Sequence, residues 1–360
     1  MSTIKVNNIE SAAGGGVAAK IASVNGGQLS NRNKVINGAM QVAQRATSVS
    51  SVSSGDYYVC DRWKLGYGSA GTWTLSQSTD SPDNFGHSFK MDCTSANTSL
   101  SAGSNLQLIQ FFEGLDLQDV EKGTSTAKEI TVSFYVKTNK TGTYIVELMD
   151  HDNSNRHCSK SYTVSNTNWN RYELTFPADT TGVLDQDANK SFEIGFWLVA
   201  GGTFQGSSLR QTWGTLEQGS RAVGQVNLAD STSNEWYLTG VQLEIGSVAT
   251  EFEHKSYCEQ LARCQRYYEV HYQSNGTASM YSTGDGTIKY SHTWYYHVCK
   301  RAQPTVALLG DAYFNASGGS SLTLTAIFTS KNHAMFYSNS NQFRLLDGNQ
   351  DASVKAEAEL

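Results

Sequence analysis

From residue 57 to about residue 252, apolar and polar positions alternate with period two, in runs closed by turn residues. Ile130, Val132, Phe134 and Val136 are separated by Thr131, Ser133 and Tyr135. Tyr144, Val146 and Leu148 repeat the pattern beyond Thr138-Asn139-Lys140-Thr141-Gly142. Such alternation marks half-buried strands, and a short polar break between two of them predicts a hairpin. Tyr172, Leu174 and Phe176 continue the series, then Phe192, Ile194, Phe196 and Leu198. Trp236 and Leu238 lead into Val241 and Leu243 with a slip of phase at Gly240, which predicts a β-bulge. About eight strands with no helical stretch between them predict an all-β fold, a jelly-roll β-sandwich over residues 41–256. Glu147, Glu173 and Glu193 alternate with the apolar positions and are expected to point to solvent.

The two ends read differently. Residues 1–40 hold no aromatic residue, only scattered aliphatics (Ile4, Val6, Ile9, Val17, Ile21) among small and polar residues. A segment of this kind cannot bury a core of its own. It is expected to be an extended arm of at most roughly 130–145 Å that adds a strand to a neighbour or lies along a partner. After the sandwich, Tyr257, Leu261, Cys264 and Tyr268 fall at i, i+4, i+7 and i+11, which predicts a connecting helix over 257–270. Short strand patterns return over 271–360 and predict a smaller C-terminal β-domain, with a loose polar tail from Asp347 to Leu360.

Composition narrows the classes. Charged residues are 17% of the chain, against about 25% in an ordinary domain. The 43 Ser, 32 Thr and 24 Asn fill the gap, as in β-rich proteins of exposed surfaces and virions. The net charge of −6 and the lack of a Lys/Arg cluster argue against a nucleic-acid partner. No run of 18 apolar residues suggests membrane insertion, and residues 1–16 do not read as a secretory signal. The six cysteines form no Cys-x-x-Cys motif, so reduced, buried thiols are expected. The five Asn-x-Ser/Thr sequons then carry no weight.

Little in the chain points to catalysis. Gly66-Tyr67-Gly68-Ser69-Ala70-Gly71 satisfies a dinucleotide-binding spacing, but a strand pattern follows where a helix N-terminus is needed. It reads instead as a glycine-rich hairpin loop. Asp150, His151, Asp152, His157 and Cys158 are the densest set of metal-ligand types, yet Asn153, Ser154 and Asn155 among them read as an exposed turn. No catalytic residue, metal ligand or cofactor is assigned. Sugars stack on Trp and Tyr faces, with nearby polar groups giving direction. The run from Tyr290 to His297 is the richest in such rings, and Tyr290, His292, Trp294, Tyr295 and Tyr296 are the candidate glycan or receptor contacts. Alternation sets Tyr290, His292, Trp294 and Tyr296 on one face and Tyr295 on the other.

Several runs, in order, resemble a family of bacteriophage and prophage tail-fibre-type virion proteins. They are Ser2-Thr3-Ile4-Lys5-Val6-Asn7-Asn8-Ile9, then Ile36-Asn37-Gly38-Ala39-Met40-Gln41-Val42-Ala43-Gln44-Arg45, then Asp61-Arg62-Trp63. Gln110-Phe111-Phe112-Glu113-Gly114 and Thr239-Gly240-Val241-Gln242-Leu243-Glu244 follow. Phe252-Glu253-His254-Lys255-Ser256-Tyr257 and Cys264-Gln265-Arg266-Tyr267-Tyr268 complete the set, which covers residues 1–268. Cys60 and Glu251 depart from the pattern. Related carbohydrate-binding sandwiches often carry an Asp calcium ligand where Gly240 stands here. The resemblance implies a fibre subunit with a carbohydrate-binding-module-like jelly roll. It also implies a homotrimer exposed on the virion, attached to phage tail or head proteins through residues 1–40 and binding a host cell-surface glycan. A purely structural fibre and a polysaccharide depolymerase are the alternatives.

Overall fold

The computed structural model describes residues 30–274, 279–282, 288–308, 313–315, 321–322, 326–338, 345–346 and 351–360, with side chains for 30–271, 293–307, 328–336 and 354–360. The arm residues Ile4, Val6, Ile9, Val17 and Ile21 lie outside this set.

The alternating region forms eleven strands: β1 (Ser48–Val52), β2 (Lys64–Gly68), β3 (Thr72–Ser78), β4 (Ser88–Ser95), β5 (Asn105–Glu113), β6 (Ile130–Thr138), β7 (Gly142–Asp150), β8 (Arg156–Val164), β9 (Asn170–Phe176), β10 (Lys190–Ala200) and β11 (Glu235–Ile245). They build two antiparallel sheets, ordered β1-β3-β4-β11-β6-β9 and β2-β5-β10-β7-β8. One face of each sheet supplies a shared core. Phe89, Met91, Val132, Phe134, Trp236 and Leu238 come from the first sheet, and Leu106, Leu108, Tyr144, Val146, Ile194 and Phe196 from the second. Phe134 meets Phe196 edge-on across the layer at 5.1 Å. Each fully buried ring or aliphatic side chain stabilises the fold by about 1.5–3 kcal/mol. The result is the jelly-roll sandwich that the pattern predicts.

Two predicted hairpins are instead crossings between sheets. The 138–142 turn joins β6 of the first sheet to β7 of the second, and the Gly66–Gly71 loop joins β2 of the second to β3 of the first. Period-two patterning says which residues face inward, and nothing about which sheet the next strand enters. The bulge is where it was expected. The β11–β6 register shifts between Thr239 and Gln242, and Gly240 adopts φ 62°.

The boundaries also move. Residues 33–40, expected within the arm, belong to the sandwich: Val35 and Met40 are core residues, and the Lys34 amide donates to the Leu243 carbonyl at 2.9 Å. Helix α1 (Tyr257–Gln265) starts at Ser256, whose side chain accepts from the Glu259 amide. It buries Gln260 and Cys264 and leaves Tyr257 exposed. From residue 351 the tail, expected to be loose, is structured. Strand Asp351–Glu357 is the centre of a three-stranded sheet, between Tyr268–Ser274 and Thr305–Leu308. Of the cysteines, Cys258 and Cys299 are exposed, against the expectation of buried thiols, and all six are free.

Four of the runs that carry the resemblance, residues 36–45, 61–63, 110–114 and 264–268, converge on one polar seam, while the run 2–9 lies outside the described residues. Gln110 brackets Ile36, accepting from its amide and donating to its carbonyl, each at 2.8 Å. Asn37 donates to the Val42 and Asp61 carbonyls at 2.8 and 3.0 Å, and its own amide donates to Gln260 Oε1 at 3.0 Å. Arg266 and the Tyr267 hydroxyl donate to Glu113 at 2.5–2.7 Å. Arg62, fully buried, stacks on the Tyr267 ring at 3.5 Å and pairs with Glu359. The seam clamps residues 33–45, α1 and the tail onto the sandwich, so these motifs are architectural.

Candidate functional site

The outer face of the first sheet carries a cleft of about 480 Å³, within the range of about 300–1,000 Å³ typical of small-molecule sites. Ser81, Pro82, Asp83 and Asn84 form one wall; Tyr135 of β6, with Asn168 and Trp169 ahead of β9, form the other. The β6–β9 register pairs Tyr135 with Arg171. Trp169 is therefore its diagonal neighbour, at the roughly 7–8 Å typical of such positions.

Each wall is fixed locally. In the loop, residues 82–85 form a turn in which the Phe85 amide donates to the Pro82 carbonyl at 3.2 Å, and Ser81 Oγ donates to the Phe85 carbonyl at 2.6 Å. Asn84 takes the left-handed conformation at φ 70°. Phe85 then packs against Tyr135 at 5.3 Å and Phe252 at 5.1 Å. That approach needs the bulge glycine: a Cβ on Gly240 would lie 2.8 Å from both Phe85 Cζ and Tyr135 Cδ2. On the other wall, the Asn168 amide donates to Asn166 Oδ1 at 2.9 Å, and Asn170 Nδ2 donates to the same oxygen at 2.8 Å.

Trp169 is half-buried, lines the cleft and is anchored through its indole nitrogen. Its Nε1 donates to Asp80 Oδ1 at 3.0 Å, and its ring meets Tyr237 edge-on at 6.1 Å. Lys137 donates to the second Asp80 oxygen at 2.6 Å. Burial pushes the Asp80 carboxyl up, but the hydrogen bonds from Lys137 and Trp169 outweigh it and hold Asp80 below the ordinary carboxylate range. The carboxylate stays ionised and the indole stays anchored. Two half-buried rings with Asn and Asp groups beside them form a preorganised surface of mixed apolar and polar character. The signal in the sequence was a tryptophan inside the otherwise polar run Ser165-Asn166-Thr167-Asn168-Trp169-Asn170.

The aromatic candidates in the C-terminal domain divide by face. Trp294 and Tyr296 are buried, with Trp294 stacked on His271 at 5.3 Å and edge-on to Tyr296 at 4.9 Å. Their rings therefore serve as packing rather than as open platforms. Tyr295 is 74% exposed. Tyr290 and His292 lie on the same strand, Ile288–Tyr295, and their side chains are outside the described set.

The expectation that Glu147, Glu173 and Glu193 point to solvent holds for one of the three. Glu173, on β9 of the first sheet, is exposed, but Glu147 and Glu193, on the outer face of the second sheet, are buried under segment 201–226 and neighbouring loops. Glu147 accepts from Arg221 Nη2 at 2.7 Å and from Trp197 Nε1 at 3.1 Å. Glu193 meets His151 Nε2 at 2.8 Å. Asp150, expected in a solvated tip, is fully buried and pairs with Lys122. His157 Nδ1 lies 3.1 Å from Glu147 Oε1, and its Nε2 is 3.5 Å from Ser220 Oγ. This is the order of a nucleophile–base–acid relay. However, Ser220 is 1% exposed and donates to the Glu217 carbonyl at 2.9 Å, so the trio holds the covering segment down and is closed to substrate.

No protein-family model matches this sequence, and no curated protein matches it. Among solved structures, the chain is similar to the enzymatically active domain of bacteriophage CBA120 tailspike protein 4, at 13% identity and a TM-score of 0.31, over 59% of this chain and 21% of that one. It therefore spans about a fifth of that tailspike chain. The CBM22-1 xylan-binding domain of Paenibacillus barcinonensis Xyn10C aligns at 11% identity and a TM-score of 0.29, over 56% of this chain and 94% of that one. TmCBM61 in complex with beta-1,4-galactotriose aligns at 11% identity and 0.29, over 60% and 99%. At these values the likeness decides nothing about ligand or partner.

Proposed function

We propose that this protein is a non-enzymatic virion fibre subunit, a tail fibre, that binds a host-surface glycan in the cleft between residues 81–84 and Trp169. The cleft carries the reading: an edge-anchored indole, a second ring and convergent Asn and Asp groups suit the apolar face and hydroxyl rim of a sugar. The motif order along residues 1–268 supports the fibre assignment. Attachment to tail or head proteins falls to the segment with Ile4, Val6, Ile9, Val17 and Ile21, and the exposed Tyr295 is a second contact. A homotrimer would multiply weak binding through effective concentration.

The test is a titration of the full-length protein with host surface polysaccharide, followed by calorimetry. Trp169→Ala is expected to weaken binding about tenfold to thirtyfold, as loss of a central aromatic anchor does. Undiminished affinity in a folded Trp169→Ala protein removes the cleft from the mechanism. Absence of the protein from purified particles sinks the fibre assignment.

A further inference from the structure

The charges around the cleft restrict what it can hold. Among its lining residues the single charged group is the Asp83 carboxylate, on an exposed turn. The cations nearest on the same sheet face are all engaged. Lys137 donates to Asp80 at 2.6 Å, Lys90 to Glu235 at 2.6 Å, and Arg171 to Glu173 at 2.6 Å and to the Thr250 carbonyl at 2.7 Å. Lys137 also lies 5.5 Å from the Tyr237 ring centroid, beside the ring that steadies Trp169. Turning it toward a ligand would leave Asp80 without its cation.

We propose that the cleft selects uncharged hexopyranose or N-acetylhexosamine units and discriminates against uronic acids, sialic acids and phosphorylated or sulfated sugars. This rests on the glycan reading of the same cleft. An anionic sugar entering it meets Asp83 and finds no uncommitted cation among the lining residues; like charges brought together across an interface oppose binding. A neutral sugar stacks on Trp169 and Tyr135 and uses Asp83, Asn84 and Asn168 as hydrogen-bond partners for its hydroxyls or its acetamide.

The experiment titrates the full chain with two neutral probes, a β-1,4-galactan oligomer and an N-acetylglucosamine oligomer, and two acidic ones, an oligogalacturonate and sialyllactose. Wild-type protein should bind a neutral probe at least about tenfold tighter than either acid. Asp83→Lys, on an exposed turn, should narrow or reverse that ratio chiefly by strengthening the acidic probes. Trp169→Phe should retain part of the binding that Trp169→Ala loses. Acidic probes preferred by wild type, with binding still dependent on Trp169, would overturn the charge selectivity and leave the cleft in place. Binding of no probe, or binding indifferent to Trp169→Ala, would overturn the glycan reading and the selectivity with it.

Discussion

Asp61 belongs to the motif Asp61-Arg62-Trp63 and lies in the seam with no solvent exposure. Its Oδ1 accepts from the Gln44 amide at 2.9 Å, its Oδ2 from Gln44 Nε2, and Arg45 supplies a nearby positive charge opposed by Glu359. Burial dominates and raises its carboxyl to about 6, with Arg45 and Gln44 pulling only partly back. The unfolded chain releases this proton near pH 3.9. Between the two values the native state holds the extra proton. Its contribution is thus fully present below pH 4 and is lost as pH rises through about 6. A shift of this size corresponds to roughly 3 kcal/mol at most. Asp61→Asn should flatten the stability curve between pH 4 and 7 relative to wild type, measured by urea denaturation at stepped pH. Parallel curves for the two proteins would show that Asp61 does not titrate in this window. The sequence hid this environment, as it hid those of Glu147, Glu193 and Asp150. Alternation tells inward from outward, but outward means solvent only where nothing covers the sheet. Here residues 201–226 cover it, and the partners that make burial tolerable (Arg221 for Glu147, Lys122 for Asp150) lie 74 and 28 residues away in the chain.

The bulge in β11 is an element-scale feature with two consequences for the segments packed against it. Its extra residue lets the Val241 amide donate to the Gly38 carbonyl at 3.0 Å, which seats the 33–40 segment. Its glycine lets Phe85 and Tyr135 close over the strand, which fixes the loop that walls the cleft. Gly240→Ala meets two penalties. A left-handed φ costs an alanine about 1–2 kcal/mol, and a Cβ at 2.8 Å from two rings adds about 1–3 kcal/mol of overpacking. The expected outcome is a loss of about 2–5 kcal/mol in unfolding free energy, together with weakened ligand binding as residues 81–85 shift. A variant with wild-type stability and affinity would show that the rings have room to move aside. The slip of phase at Gly240 made this bulge legible in the sequence, because one local pattern encodes it. The inter-sheet crossings at 66–71 and 138–142 were not legible. A turn between two alternating runs looks the same whether the next strand pairs beside the last or joins the opposite sheet.

At the scale of the whole molecule, residues 33–40 belong to the sandwich rather than to the proposed arm, and that difference is measurable. Deleting residues 1–40 removes Val35 and Met40 from the core, at about 1.5–3 kcal/mol each. It also strips Gln110, Gln260 and the Val42 and Asp61 backbone of partners, at about 1–3 kcal/mol for each buried polar group left unsatisfied. Together these approach the 5–15 kcal/mol that holds a typical domain folded. Deleting residues 1–29 touches none of these groups. The shorter deletion should therefore keep the melting transition of the full chain while losing association with particles, if attachment resides in Ile4 to Ile21 as proposed. The longer deletion should lose the cooperative transition in circular dichroism. Native mass of the full chain and of the 1–29 deletion then tests the proposed homotrimer on folded protein, with three copies expected in both if residues 30–360 hold the assembly contacts. A cooperative, unshifted transition after removal of residues 1–40 would mean that the seam is dispensable, and the arm would regain the extent its composition suggests.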